Sequence, residues 1–181
     1  MPSTKRFNFF VYNLKNNRVR KVINVFRNDS REDFQCFGCS PYNERGLQLS
    51  FFESDGEVVA EWSPKRDFEG YTNVLHGGIQ ATLLDEIASW VVYTQCDTAG
   101  VTSGMNIRYK KPVYINGGVV KIKGRVESRT ERKAIIKCEL LNEKGQVCSN
   151  ADVEYFLFPD KIAREKYHYP GKEAFFEMEE I

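Results

Sequence analysis

Two periods of apolar spacing divide the chain. Residues 47–53 (LQLSFFE) and 57–63 (EVVAEWS) are dense in apolar positions and joined at Ser54-Asp55-Gly56, a turn of the Asp-Gly kind that predicts a β-hairpin. Residues 101–111 read as a further strand. Val120, Ile122, Gly124 and Val126 then alternate with charged or polar neighbours, as do Ala134, Ile136, Cys138 and Leu140. Lys144-Gly145 turns the chain into Val147, Ser149, Ala151, Val153, Tyr155 and Leu157. Such alternation predicts an antiparallel sheet covered on one face. Between the hairpin and these strands the period changes. On a wheel of roughly 100° per residue, Ile79, Ala81, Leu83, Leu84, Ile87, Ala88, Trp90, Val91 and Val92 span roughly 220° of arc, so residues 79–95 are expected to form one long, mostly buried helix. The fold class expected is α+β, an antiparallel sheet wrapped around that central helix.

The polar stripe left on the helix holds Thr82, Asp85, Glu86, Ser89 and Tyr93. Most acidic residues on helices simply face solvent. Asp85 is set apart by His76-Gly77-Gly78, which opens the helix. Glycine inside a helix costs on the order of 1 kcal/mol relative to alanine, but at a helix start it lets a bulky group approach bare backbone N–H groups. Those amides and the helix dipole favour negative charge. A thioester or ester under attack develops such charge on its carbonyl oxygen, where one preorganised amide is worth roughly 3–4 kcal/mol of barrier. Gly77 is the candidate donor. Asp85 lies about 12 Å further along the axis at 1.5 Å per residue, too far for both to serve one carbonyl from one helix. If they cooperate, they belong to two chains, and two antiparallel copies of the helix across a two-fold axis give two equivalent sites per homodimer.

Asn73-Val74-Leu75-His76-Gly77-Gly78, followed by Leu83-Leu84-Asp85-Glu86 and then by the run from Gly100 to Val113 (GVTSGMNIRYKKPV), resembles the PaaI-like branch of the hotdog-fold acyl-CoA thioesterases, over roughly residues 36–158. HGG with an acid nine residues after the His and an MNIRYKKPV-type strand is a far more specific combination than HGG alone. The resemblance implies a hotdog fold and hydrolysis of an acyl-CoA thioester to the free acid and coenzyme A, with no cofactor. It implies that Gly77 supplies the oxyanion N–H and that Asp85 of the facing subunit is general base or nucleophile. Thr102 matches a hydroxyl that orients water, and Ser89, one turn beyond Asp85 and within about 6 Å of it, matches a hydroxyl used in other branches. His76 is expected to shape the loop and the start of the helix. Gly78 and Asn73 are expected beside the substrate, Trp90 along the acyl chain between two central helices, and Arg108 and Lys110 at the mouth for coenzyme A phosphates, with Lys111, Arg125, Arg129, Arg132 and Lys133 as further basic candidates. One departure stands out: many members carry Asn or Gln six residues before the motif His, where this chain has Gly70, so the polarising side chain is unassigned. Glu86 is the substitute acid, but it points about 100° away from Asp85. The implied assembly is a homodimer or a dimer of dimers (homotetramer). An acyl-carrier-protein thioester is a second candidate substrate. From a different class, a non-catalytic acyl-CoA sensor or scaffold stays open, while hydration or dehydration of an enoyl thioester suits His76 poorly.

With 181 residues and 41% hydrophobic content, the chain is expected to hold one hotdog domain at 34–158, an N-terminal extension at 1–33, and a C-terminal helix and tail at 159–181. Val19, Val22, Ile23 and Phe26 have the spacing of a short helix, and another is expected over Asp160–Tyr167. The balance of 26 basic to 25 acidic residues creates no large field, which argues against a nucleic-acid partner. No apolar run approaches the roughly 20 residues of a membrane span. The apolar patch at residues 7–14 is interrupted by Asn and lacks a cleavage site, so no signal peptide is read and a cytoplasmic address is expected. Of five cysteines, only Cys36 and Cys39 are closely spaced. Without a second pair or two histidines, no metal is expected there, and no thioredoxin-like context supports a redox role. In the family it resembles, such CFxC segments look like part of a packed loop before the first strand.

Overall fold

A computed structural model describes residues 19–27 and 34–176. The readings made on residues 1–18 and 28–33, including the patch at 7–14, and on the acidic close at Glu177, Glu179 and Glu180 lie outside the described residues. Seven strands form one antiparallel sheet: β1 (Arg20–Val22), β2 (Phe51–Ser54), β3 (Glu57–Trp62), β4 (Gly100–Tyr109), β5 (Val120–Arg129), β6 (Lys133–Leu141) and β7 (Val147–Leu157). Their order is β1-β2-β3-β5-β6-β7-β4. The long helix α1 (Gly77–Gln95) lies on the sheet, and α2 (Asp160–Tyr167) follows β7 as the sequence leads one to expect. This is the hotdog arrangement. No helix among the described residues is long and apolar enough to cross a membrane.

The core follows from the two periods. Leu83, Leu84, Ile87, Ala88 and Val91 of α1 are fully buried together with Val58, Ala60, Ile122, Ile136, Leu140 and Val153, the inward positions of the strands. Each large aliphatic side chain buried in this way contributes about 1.5–3 kcal/mol. The helix starts at a cap: Nδ1 of His76 accepts the Gly78 N–H at 2.9 Å. Its far end is tied down by the C-terminal segment. Asp97 takes a left-handed φ of 48°, and its carboxylate meets the Tyr169 hydroxyl at 3.0 Å and the Lys172 N–H at 3.1 Å.

Two expectations need correction. The strand predicted over 47–53 begins only at Phe51. Leu47 and Leu49 instead donate their N–H groups to the carbonyls of Phe37 and Gly38, at 2.8 and 2.9 Å, and Gln48 between them has a φ of 53°. The segment is thus held by the Cys36–Cys39 loop before it reaches the sheet. The short helix expected from Val19, Val22, Ile23 and Phe26 does not form either. Arg20–Val22 pairs with β2 as an edge strand that buries Val22, and only Val25–Arg27 makes a 3-10 turn. The β-branched residues find a sheet edge to complete, and tertiary pairing outweighs the helical spacing.

The opposite edge is formed by β4, ten residues long and mostly exposed. Among the described residues its outer side pairs with no strand. Its inner ladder with β7 carries a bulge between Thr102 and Gly104.

Candidate active site

A cleft of about 650 Å³ opens at the start of α1, lined by Gly70, Tyr71, His76, Gly77, Tyr109, Lys110 and Lys111 among others. Because His76 occupies the Gly78 N–H, the first amide of the helix, at Gly77, is the one left with no intrahelical acceptor. The Tyr109 hydroxyl donates to the Gly77 carbonyl at 2.9 Å. Its ring lies 3.5 Å from where a Gly77 Cβ would sit, so a side chain there would narrow the approach to the backbone. The N–H groups of Lys110 and Lys111 both donate to the Cys148 carbonyl, at 2.7 and 3.0 Å, which holds these two lysines at the rim. Gly70 is backed against His76, whose Cα would lie 3.3 Å from an added Cβ; a longer residue there requires the loop to shift. Asn73 has a φ of 62°, and its side chain staples the loop: Nδ2 donates to Asn116 Oδ1 at 2.8 Å, and Oδ1 accepts the Asn116 N–H at 3.1 Å.

Further along α1, the Thr102 hydroxyl donates to Asp85 Oδ1 at 2.7 Å. The bulge makes this possible. Tyr109 points toward the helix, since it bonds Gly77, and strict alternation along β4 from Tyr109 through Ile107 and Met105 would turn Ser103 inward and Thr102 outward. The extra residue inverts that parity. Thr102 thereby faces Asp85, while the Ser103 hydroxyl donates outward to the Glu154 carboxylate at 3.1 Å. Ser89 does not bond Asp85 directly. Its hydroxyl lies 2.9 Å from that of Tyr155, which in turn lies 3.4 Å from the Asp85 carbonyl. Tyr155 is 2% exposed. Burial pushes its pKa well above the ordinary phenol value, and the Asp85 charge acts in the same direction, so it stays a neutral phenol at physiological pH. No motif marked Tyr155; its inward place in the alternation of β7 was the one available signal.

Other expected residues lie elsewhere. Trp90 is 1% exposed, stacks on Phe51 with ring centroids 4.5 Å apart, and donates Nε1–H to Glu86 at 3.1 Å. It stands about 140° around the helix from Asp85, in the core of this chain. Arg108 pairs in register with Asn150 and lies with Arg125, Lys137 and Asp152, on the sheet face opposite to Tyr109 and the helix. Lys110 is at the Gly77 cleft. Gly78 is exposed at the first turn of α1. Glu86 faces Cys36, with its oxygens 3.7 and 3.8 Å from the sulfur.

Residues 72–149 match the family model of the thioesterase superfamily. That stretch, which runs from the loop before α1 into β7, is similar to this superfamily. The chain is 29% identical over 89 residues to acyl-coenzyme A thioesterase 13 of Homo sapiens, a stretch covering 49% of this chain and 63% of that protein. The match therefore spans less than two thirds of the human relative. The PaaI protein from the phenylacetic acid degradation operon of E. coli shares the fold at a TM-score of 0.58 and 16% identity, covering 63% of this chain and 82% of that one. A hypothetical thioesterase protein of Streptococcus pneumoniae, solved with coenzyme A, is 25% identical at a TM-score of 0.54, covering 59% of this chain and 81% of that one. That protein has also been solved with one aspartate, and with one threonine, replaced by alanine.

Proposed function

We propose that this protein hydrolyses an acyl-CoA thioester to the free acid and coenzyme A, at two sites each shared between the subunits of a homodimer. The observation that carries this reading is the 2.7 Å hydrogen bond from Thr102 to Asp85, an oriented carboxylate beside the uncovered edge of β4. The Gly77 amide of one subunit polarises the thioester carbonyl. Asp85 of the partner subunit removes a proton from water, which attacks the carbonyl carbon; the tetrahedral oxyanion collapses, the C–S bond breaks, and the coenzyme A thiolate leaves and takes up a proton. Attack by the carboxylate itself, through an anhydride that water then opens, uses the same two groups. Thr102 holds one carboxylate oxygen, leaving the other for chemistry.

Three features support a shared site. Asp85 and Thr102 do not line the cleft that contains Gly77. Ten residues of unpaired strand edge attract a second strand, and the equivalent edge of a second copy across a two-fold axis satisfies the same backbone groups on both. Lys110 and Lys111 at the rim suit the phosphates of coenzyme A, the molecule held by the pneumococcal relative.

One observation favours a second reading. Gly70 is packed against His76 and leaves no side chain there to hold the substrate carbonyl, which fits an acyl-CoA sensor or scaffold. Free-thiol release from aryl, short-chain and long-chain acyl-CoAs, comparing the native protein with Asp85→Asn, separates the two. Turnover is expected to fall by about 10²–10⁴-fold in the variant, the scale of general-base catalysis. Full activity in folded Asp85→Asn, or a monomer that turns over, would refute the proposal, and binding without turnover in the native protein would favour the sensor.

A further inference from the structure

We propose that Cys36, Cys39 and Glu86 form a binding site for a thiophilic divalent cation such as Zn²⁺, which clamps the loop before β2 onto α1. Their three donor atoms lie within 4.8 Å of one another. Sulfurs bound at about 2.3 Å to a tetrahedral zinc stand roughly 3.8 Å apart, so side-chain adjustments of about 1 Å or less bring the set into bonding range. The third donor comes from fifty residues further along the chain, which is why Cys-x-x-Cys alone did not reveal it.

The surroundings hold the sulfur and the carboxylate in place. The Cys39 thiol and the backbone N–H groups of Cys39 and Gly38 are directed at the Cys36 sulfur. The loop that provides these amides is pinned by the Ser40 N–H on the Cys36 carbonyl at 3.1 Å and by the Leu47 and Leu49 N–H groups on Phe37 and Gly38. Trp90 Nε1–H fixes the Glu86 carboxylate at 3.1 Å, the kind of outer hydrogen bond that orients a metal ligand. Glu86 is pressed so closely on Gly38 that any Cβ there would collide with the carboxylate. Among the described residues, no lysine, arginine or histidine pairs with Glu86.

Two thiols and a half-buried carboxylate thus converge with no cation among the described residues paired to them. The dication replaces the two thiol protons, which go to solvent, so that M²⁺ with two Cys-SH and one Glu-COO⁻ gives the bound site and two H⁺. Two sulfurs, one carboxylate oxygen and one solvent oxygen complete a four-coordinate ion. Glu86 points away from Asp85 on the helix, so the site is independent of the hydrolytic reading.

The test is a titration of the reduced full-length protein with cobalt(II) chloride under anaerobic conditions, with circular dichroism confirming that each variant is folded. One equivalent of Co²⁺ is expected to produce a sulfur-to-cobalt charge-transfer band that Zn²⁺ bleaches. Cys36→Ser is expected to abolish the band, Glu86→Gln to weaken affinity at least tenfold, and Cys148→Ser to change neither. Cys36 is only half-buried, so its serine variant carries the test even if Cys39→Ser fails to fold. No band with stoichiometric Co²⁺, a band that survives Cys36→Ser, or unchanged affinity in folded Glu86→Gln would each overturn the proposal.

Discussion

Replacing Thr102 with valine removes one O–H and little else, because the two side chains have nearly the same shape. That O–H is donated to Asp85 Oδ1 at 2.7 Å. A hydrogen bond to a charged partner contributes about 1.5–3 kcal/mol. If the bond acts by aiming the reacting carboxylate, losing it raises the barrier by that amount, which at 1.36 kcal/mol per tenfold corresponds to a fall in kcat of about 10- to 150-fold. Thr102 is exposed in the single chain, where water would replace its donor readily, so the upper part of that range requires the edge of β4 to be covered by a second subunit. Steady-state thiol release on the best acyl-CoA substrate is the assay, with KM expected to change less than kcat because Thr102 holds Asp85 rather than the substrate. Thr102→Ser keeps the donor and should recover most of the loss. In the double variant with Asp85→Asn, the two losses should fail to add, as for residues that act as a unit. A kcat within twofold of the native value in folded, dimeric Thr102→Val, or a loss confined to KM, would refute the positioning role.

Trp90→Ala should destabilise the fold by about 3–5 kcal/mol, read as a lower urea midpoint, without altering the ratio of activities on short and long acyl chains; a changed ratio at unchanged stability would return Trp90 to the substrate. Tyr93 and Tyr155 both have pKa values raised by burial. Below about pH 10 both states hold the phenolic proton and nothing is lost, whereas above it the unfolded chain releases protons that the native state retains, so stability should fall with rising pH by about 1.4 kcal/mol per unit for each tyrosine. Urea unfolding at a series of pH values from 8 to about 11 should show this decline, shallower by about one tyrosine's share in Tyr155→Phe, and an equally steep decline in that variant would remove Tyr155 from the account.

The part of this architecture legible in the sequence was the part governed by period. Alternation in the segments of β5, β6 and β7, the Asp55-Gly56 turn, and the wide apolar arc of α1 give the sheet and its central helix, because burial on one face leaves a mark at every second or every third to fourth residue. Where a backbone found partners outside the sheet, the mark misled. Residues 47–49 look like the start of a strand because they are apolar, yet their amides are taken by Phe37 and Gly38. Arg20–Val22 has helical spacing in its neighbourhood, yet a free edge of β2 recruits it.

At the candidate site, the limit is parity. The proximity of Thr102 to Asp85 follows from the family resemblance, but the residues of β4 taken alone argue for the opposite face, since Met105, Ile107 and Tyr109 share one side of a regular strand and Thr102 would share the other. One inserted residue reverses this, and the sequence around it contains Ser103 and Gly104 but no signal that says which of the two is looped out. The cost is local: the Ser103 hydroxyl still finds Glu154, which itself accepts from Lys133 at 3.1 Å, so the residue pushed out of register remains satisfied at the surface. The same step brings Thr102 opposite Tyr155, and with it the Tyr155 and Ser89 hydroxyls that back the Asp85 turn of α1. A single irregularity in an edge strand therefore assembles both the donor to the carboxylate and its support, along the longer edge of the sheet, whose outer side pairs with no strand among the described residues.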